Sequence, residues 1–194
     1  MGSQGKSLED IDRGNRSASG SSRRRRWAGW GFEGVRFEPP EEMVAWLEGR
    51  VGPAEPFPRS DPGELVVYEP RSVPELPGSV ARDPMERLTR ARGQGLPDLL
   101  RLRAGALPAL PDAVARPGSL EEVEAVLQAC AGTGTRVIPR GGGTSVTGGV
   151  NVVPDGPPVV VLDLDRLAGL EELDETSGLA TFAAGTAGPA VEAA

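Results

Sequence analysis

Apolar and polar positions along this chain change character twice. The first 26 residues show no periodicity: Ser, Gly and Arg mix with a few acids, the pattern of a solvated, disordered arm. Helical spacing begins at "PPEEMVAWLEGRVG". There Pro39 and Pro40 lead in, acids fill the first turn, and Met43, Val44 and Leu47 share a face; Gly49 or Gly52 can stop the helix. Residues 53–80 are Pro-rich without a period and predict an extended linker. In "DPMERLTRARGQG", Asp83 can cap a helix, Pro84 takes its first position, Glu86 completes a capping box and Gly93 can end it. "LPDLLRLRAG" allows a further turn or two.

The second change comes at Pro111. "PDAVARP" predicts a short strand between prolines. "GSLEEVEAVLQACAGTG" predicts the most secure helix: Ser119 caps it, Glu122 is the reciprocal acceptor, and Gly132 and Gly134 end it. Leu120, Val123, Leu127 and Cys130 recur at spacings of 3, 4 and 3, the expected buried face. "TRVIP" predicts a buried strand. Strand, helix and strand within about 28 residues make a βαβ unit, with parallel pairing and a right-handed crossover. "PPVVVLDLDRL" is a nearly continuous apolar run, suited to a strand covered on both faces. "GLEELDETSGLATFAAGT" predicts a hairpin turning near Thr176 to Gly178. A last helix starts near Gly188 and has no room to bury a face before Ala194, so the chain is expected to be the front part of a longer protein.

Composition narrows the class. The 194 residues suit one to one and a half domains. Hydrophobic residues make up 38% but aromatics only 4%, so the core must rest on Val, Leu and Ala. The 27 Gly and 19 Pro fall largely in turns between apolar runs. Net charge is −7. The first 26 residues carry seven Lys/Arg against three Asp/Glu, leaving fourteen against twenty-five for the body. An acidic body argues against nucleic acid as a partner. The Arg23–Arg26 run reads as part of the solvated arm, with a membrane or nucleic-acid patch as the lesser reading.

No apolar run reaches ~18 residues, so no transmembrane segment is expected. The N-terminus has no apolar h-region, and Lys6 stands where a myristoylation motif needs Ser or Thr. The single cysteine, Cys130, permits no internal disulfide and suits a cytoplasmic location. It reads as a small core residue. Histidine is absent, which removes Ser-His-Asp and Cys-His systems and His-ligated metals from these residues; one cysteine forms no zinc knuckle. No catalytic or metal-binding residue is assigned. "RWAGWGF" predicts a flap that packs Trp27 and Trp30 onto a neighbouring surface.

The candidate chemistry lies in "PRGGGTSVTGG", Pro139 to Gly149. A loop that leaves a parallel strand sits at the carboxyl end of the sheet, where open α/β folds bind ligands. Glycines expose successive backbone N–H groups as an anion-binding concavity, and Thr144 and Ser145 add hydroxyl donors. Phosphate or pyrophosphate is the natural guest; a flexible glycine turn is the bland alternative. The nucleotide P-loop is excluded because no Lys follows the glycines. The G-x-G-x-x-G dinucleotide pattern started at Gly141 fails at Val146.

The stretch from Pro111 to Val150, with P-x-G-G-G-T-S-x-x-G-G after strand–helix–strand, resembles the FAD-binding domain of the vanillyl-alcohol-oxidase (PCMH-type) flavoproteins. "FAAGTAGPAVEA" resembles a later segment of the same domain. Together with "DPMERLTRARGQGLPDLLRLRAGALPALPDAVARP", "RWAGWGF" resembles the N-terminal extension of the alkyldihydroxyacetonephosphate-synthase-like members. The resemblance implies an α+β / α/β fold. Its FAD-binding PCMH-type domain, the first βαβ subdomain, follows a mostly irregular and helical extension. The implied division is a tail of residues 1–26, an extension of 27–110 and a truncated domain of 111–194.

It further implies non-covalent FAD. Pro139, Arg140, Gly141, Gly142, Gly143, Thr144, Ser145, Gly148 and Gly149 would lie at the pyrophosphate, and Thr144 would stand where tethered-flavin relatives often place His. Such synthases exchange an acyl chain for a fatty alcohol on a dihydroxyacetone phosphate; their catalytic residues and their small-molecule or lipid-like substrate site lie further along, and a homodimer is one option. This part alone is then expected to be inactive. The alternatives are an FAD-linked 2-hydroxyacid (D-lactate or glycolate) dehydrogenase and a truncated nucleotide-binding module without catalysis.

Overall fold

The computed structural model describes residues 26–65 and 69–194. The tail, with Arg23 to Arg25, lies outside the described residues. The chain divides into two units, Met1–Arg26 with Trp30–Pro53, and Trp27–Gly29 with Ala54–Ala194.

In the first unit, α1 (Glu41–Val51) starts after Pro40 and ends at Gly52, whose φ of 90° suits glycine. Met43, Val44 and Leu47 do share a side, but none of α1 is buried. The Arg50 guanidinium lies over the Trp46 ring, 4.5 Å from its centre.

The second unit is framed by a four-stranded sheet in the order β1-β2-β4-β3. Its strands are β1 (Ser79–Ala81), β2 (Ala113–Arg116), β3 (Arg136–Arg140) and β4 (Val159–Asp163). β2 and β3 each run parallel to β4, and β1 pairs antiparallel with β2. The predicted parallel arrangement is present, but β2 and β3 are not neighbours, because β4 lies between them. Every residue of β4 is buried, so it takes the place where both edges and both faces are covered. β3 is only partly buried, contrary to the expectation for "TRVIP". Pro139 gives the reason: it offers no N–H to a ladder and is tolerated at an edge.

α4 (Leu120–Thr133) follows β2 and covers one face of the sheet. The Ser119 hydroxyl accepts from the Glu122 N–H at 3.3 Å, and Gly134 closes the helix in the left-handed region at φ 69°. The Glu122 carboxylate accepts from the Gly118 N–H at 2.7 Å, one residue before the expected partner. The expected buried face is corrected. Val126 and Cys130 are buried with Val123 beside them, while Leu120 and Leu127 are exposed. Both stripes satisfy the helical period; the shorter side chains sit against Ala113, Ala115, Val160 and Leu162. Each buried Val here contributes on the order of 1.5–3 kcal/mol.

The residues that flank β1 in sequence, ahead of β2, have their own core. In it, α2 (Pro84–Thr89), α3 (Leu96–Arg103) and the 3₁₀ turn Pro62–Leu65 bury Leu65, Leu88, Ala91, Leu99, Leu102, Leu107 and Leu110. Asp83 caps α2, accepting from the N–H groups of Met85 and Glu86 at 2.9 and 3.1 Å. α2 ends at Thr89, four residues short of Gly93, and Glu86 pairs with Arg90 instead of closing a box. Trp27 packs on this core, whereas Trp30 is exposed, so the expected tryptophan pair divides.

β5 (Leu170–Asp174) and β6 (Leu179–Phe182) form the predicted hairpin as a separate sheet. Asp174 accepts from the N–H groups of Thr176 and Ser177, at 2.9 and 3.2 Å, and Gly178 follows at φ 69°. The last helix, α5 (Gly188–Glu192), buries none of its residues. Among the described residues no helix is long and apolar enough to cross a membrane.

Candidate functional site

The glycine loop leaves β3 at Arg140, whose register partner is Asp163, the last residue of β4. The Leu164 N–H donates to the Arg140 carbonyl at 2.9 Å and extends that pairing by one bond. The loop therefore starts at the carboxyl ends of two parallel strands, where the sequence placed it. The next regular element after it is β4, not a helix. An anion here meets turn amides rather than a helix terminus, which separates this loop from the P-loop and the dinucleotide fingerprint.

Its glycines fall into two groups. Gly143 is buried at φ 67°, and a Cβ there would lie 2.1 Å from Arg140 Nη2. Gly148 has φ 82°, and its Cβ would come within 3.3 Å of Asn151 Nδ2. These two are required by the loop's own conformation. Gly141, Gly142 and Gly149 are different. A Cβ on them would meet nothing nearer than 3.9, 3.7 and 3.8 Å respectively. Nothing inside the loop needs these three to be glycine, since a Cβ at each would sit at ordinary van der Waals distance. Gly142, Thr144 and Gly149 are exposed, and Ser145 is half-buried. A guest that approaches backbone closely and accepts hydrogen bonds fits this surface.

Side chains beneath the loop hold it in place. Arg140 donates to the Thr89 carbonyl at 3.2 Å and lies 3.7 Å from the Asp163 carboxylate. Arg90 Nε donates to the same carboxylate at 2.9 Å and pairs with Glu86 at 2.6 Å. Asp163 is fully buried, so its charge is balanced by cations anchored on the preceding segment and at the loop's own start. The later Ala-Gly segment also reaches this end: the Ala184 carbonyl faces Gly141, and Gly185 packs on the Leu164 carbonyl so closely that a Cβ would stand 1.8 Å from it.

Pro139 and Arg140 thus belong to the strand end, and Gly141 to Gly149 to one continuous loop. Sequence reasoning missed Arg90, Asp163, Asn151 and Asp98. Asp163 carried a signal, a lone acid closing the run Val159–Leu162. Arg90 and Asp98 carried none for this role, since Asp163 and Asn151, the partners that tie them to the loop, lie 73 and 53 residues away. Cys130 is buried in the sheet–helix core, and burial pushes its thiol pKa up, away from reactivity.

The fold and the loop define a class. Residues 111–194 match the family model described as FAD binding domain. The relatives it resembles are alkyldihydroxyacetonephosphate synthases. The protein of that name from Dictyostelium discoideum is 32% identical over 117 residues, covering 60% of this chain and 19% of the relative. The one from Trypanosoma brucei brucei is 34% identical over 112 residues, covering 57% and 18%. A solved structure titled alkyldihydroxyacetonephosphate synthase in P212121 matches 87% of this chain and 37% of its own, with a TM-score of 0.74 and 25% identity. The chain spans about a fifth of the length of these curated relatives. The likenesses favour the synthase-like reading over a 2-hydroxyacid dehydrogenase.

Proposed function

We propose that this chain supplies the pyrophosphate-binding part of a flavoenzyme resembling alkyldihydroxyacetonephosphate synthase, with transferase rather than net oxidoreductase chemistry. The single observation that carries the site is that Gly141 and Gly142, where the loop leaves the carboxyl ends of β3 and β4, and Gly149 further along it have no steric need to be glycine within the loop. In this reading Pro139 and Arg140 fix where the loop begins, and Gly143 and Gly148 fix its turns. Gly141, Gly142 and Gly149 bring main-chain amides to the phosphates, and Thr144 and Ser145 add hydroxyl donors. FAD, when bound, supplies the electron-accepting chemistry; these residues hold and orient it. Substrate, partners, homodimerisation and a cytoplasmic location belong to the proposal in the same way.

The test is a titration of isotopically labelled protein with FAD and with ADP, read by amide NMR. Shifts centred on Gly141, Gly142, Thr144 and Gly149 are expected with both ligands, since both carry the pyrophosphate. Shifts that avoid the loop overturn the assignment. Attachment is tested separately by acid precipitation of flavin-loaded protein and digestion of the pellet. Yellow colour should leave with the supernatant, because Thr144 is a poor nucleophile at neutral pH and no His is present. A flavin-bearing peptide from residues 139–149 would overturn non-covalent binding.

A further inference from the structure

Segment 91–98 lies directly under the downstream limb of the loop. The Val152 N–H donates to the Ala91 carbonyl at 2.9 Å, and the Gln94 N–H donates to the Ser145 carbonyl at 2.7 Å. Gly93 sits so close to that carbonyl that a Cβ would stand 2.1 Å from its oxygen. One side chain ties these contacts together. Asn151 Oδ1 accepts from the Gly93 N–H at 3.0 Å, and Asn151 Nδ2 donates to Asp98 Oδ1 at 2.8 Å. Asp98 is buried at the start of α3 and also receives Arg92 Nη1 at 3.1 Å. The Asn151 N–H in turn donates to the Gly148 carbonyl, closing the Gly148 turn.

We propose that Asn151 is a positioning residue for the FAD site: bridging Gly93 to Asp98, it fixes the Ser145–Gly149 limb on the preceding segment, so that the cradle is shaped before the dinucleotide arrives. The inference rests on the assignment of the loop to the pyrophosphate. It goes further by giving residues 91–98 a role in cofactor affinity and not only in stability. A cradle shaped in advance avoids the ordering cost that a loop folding around its ligand incurs on binding.

Three forms of the full chain decide it: Asn151→Leu, Gly142→Asp, and Leu102→Ala as a control that weakens the segment's core without altering the bridge. FAD affinity per folded molecule is measured beside the thermal midpoint. Asn151→Leu should weaken FAD at least about tenfold, a factor expected when a half-buried polar bridge is lost and its partners, buried Asp98 among them, lose a hydrogen bond. Leu102→Ala should lower the midpoint by as much or more and leave affinity within about twofold. If Gly142→Asp abolishes binding while Asn151→Leu leaves it unchanged, or if Leu102→Ala weakens FAD as much as Asn151→Leu does, the positioning role fails and the pyrophosphate assignment stands. If Gly142→Asp leaves binding intact, both fail.

Hydrogen exchange on the unaltered chain gives a second measurement, independent of whether the variants fold. The Gly93 and Gln94 amides should be protected without FAD. Free exchange there that slows only when FAD is added would show that the ligand shapes the loop, and would overturn the proposal.

Discussion

Two buried aspartates stand at opposite ends of the same sheet, and each pairs with an arginine from the segment before it. Asp112 precedes β2 and is held by Arg71, with contacts of 2.9 and 3.2 Å and a further 2.7 Å bond from the Arg71 N–H. It also accepts from the Val159 N–H at 2.7 Å. Asp163 ends β4 and is held by Arg90 and Arg140. The chemistry is alike and the consequences differ. At the amino end every partner of Asp112 belongs to the scaffold, so the network ties the linker to the sheet. At the carboxyl end one cation belongs to the first residue after which the glycine loop turns away. The same type of ion pair is a staple at one end and, at the other, a support for the loop proposed to hold FAD. Location at the carboxyl ends of the parallel strands makes the difference, not residue type.

The largest effect that would sharpen this contrast comes from the loop itself. Gly142→Asp places a carboxylate where the pyrophosphate is assigned, adding bulk and like charge. Gly142 has no left-handed φ, and a Cβ there meets only Thr144 Cγ2 at 3.7 Å, so the fold should accept the change. FAD affinity should fall by about 100-fold or more, ~2.7 kcal/mol, with the thermal midpoint nearly unchanged. A yellow variant with full flavin content would break the distinction between the two ends.

The next effect compares the aspartates directly. Asp163→Ala removes the carboxylate that Arg90 and Arg140 share, leaving Arg90 with Glu86 and Arg140 with the Thr89 carbonyl, and Asp112→Ala removes the acceptor of Arg71 and of the Val159 N–H. Breaking a buried pair costs about 3–5 kcal/mol. The lower part of that range applies to Asp112, because Arg71 is 41% exposed and solvent can take over part of its charge. Denaturant unfolding should show both losses. FAD binding per folded molecule should fall only for Asp163→Ala. Equal loss of affinity in both variants would mean that the sheet transmits any weakening to the loop, and the two ends would not be functionally distinct.

Acid sharpens the amino end. Burial pushes the Asp112 carboxyl upward, but its hydrogen bonds from Arg71 and from the N–H groups of Val159 and Arg71 outweigh that, and the group stays below its ordinary 3.8. A carboxyl depressed in the folded state contributes stability that is fully present above the unfolded value. That contribution is lost as pH falls through the folded one. Urea midpoints measured downward from pH 5 should therefore drop below about pH 4, and Asp112→Asn should flatten that drop. A profile identical in the variant would remove Asp112 as its source.

Much of this framework was legible because the signals were local. The prolines around Ala113–Arg116, the Ser119 cap, the apolar run of β4 and the Asp174–Gly178 turn each lie within a few residues of what they determine. β1 was not legible: three residues, Ser79–Ala81, carry no period, and only pairing with β2 makes them a strand. Strand order was half-legible: the apolar run Val159–Leu162 fitted a strand covered on both faces, but "TRVIP" was expected to be buried and instead forms the edge strand β3. The orientation of α4 could not be read from spacing, because two stripes one step apart fit the same period. The loop's position at the end of β3 followed from the sequence; the division of its glycines did not. Its supports did not, because Arg90 and Asp98 reach Asp163 and Asn151 across 73 and 53 residues.

The smallest effect concerns α4, which covers the sheet between its two ends and touches neither aspartate network. Ser119 supplies the side-chain acceptor for the Glu122 N–H, and Glu122 reaches back to the Gly118 N–H. Ser119→Ala removes the first of these and leaves the second, so the loss should fall near 1 kcal/mol, the usual cost of deleting a cap. The core stripe of Val123, Val126 and Cys130 is untouched, and helix and sheet should stay docked. FAD affinity should not change, because the cap lies at the start of α4 and the loop follows β3. A chemical-denaturation series measures the first quantity and a fluorescence-quenching titration the second. A loss near 1 kcal/mol with unaltered affinity sets the baseline against which the Asp163 and Asp112 variants are judged. If so mild a change also weakens FAD, affinity follows global stability, and the contrast between the two ends of the sheet collapses.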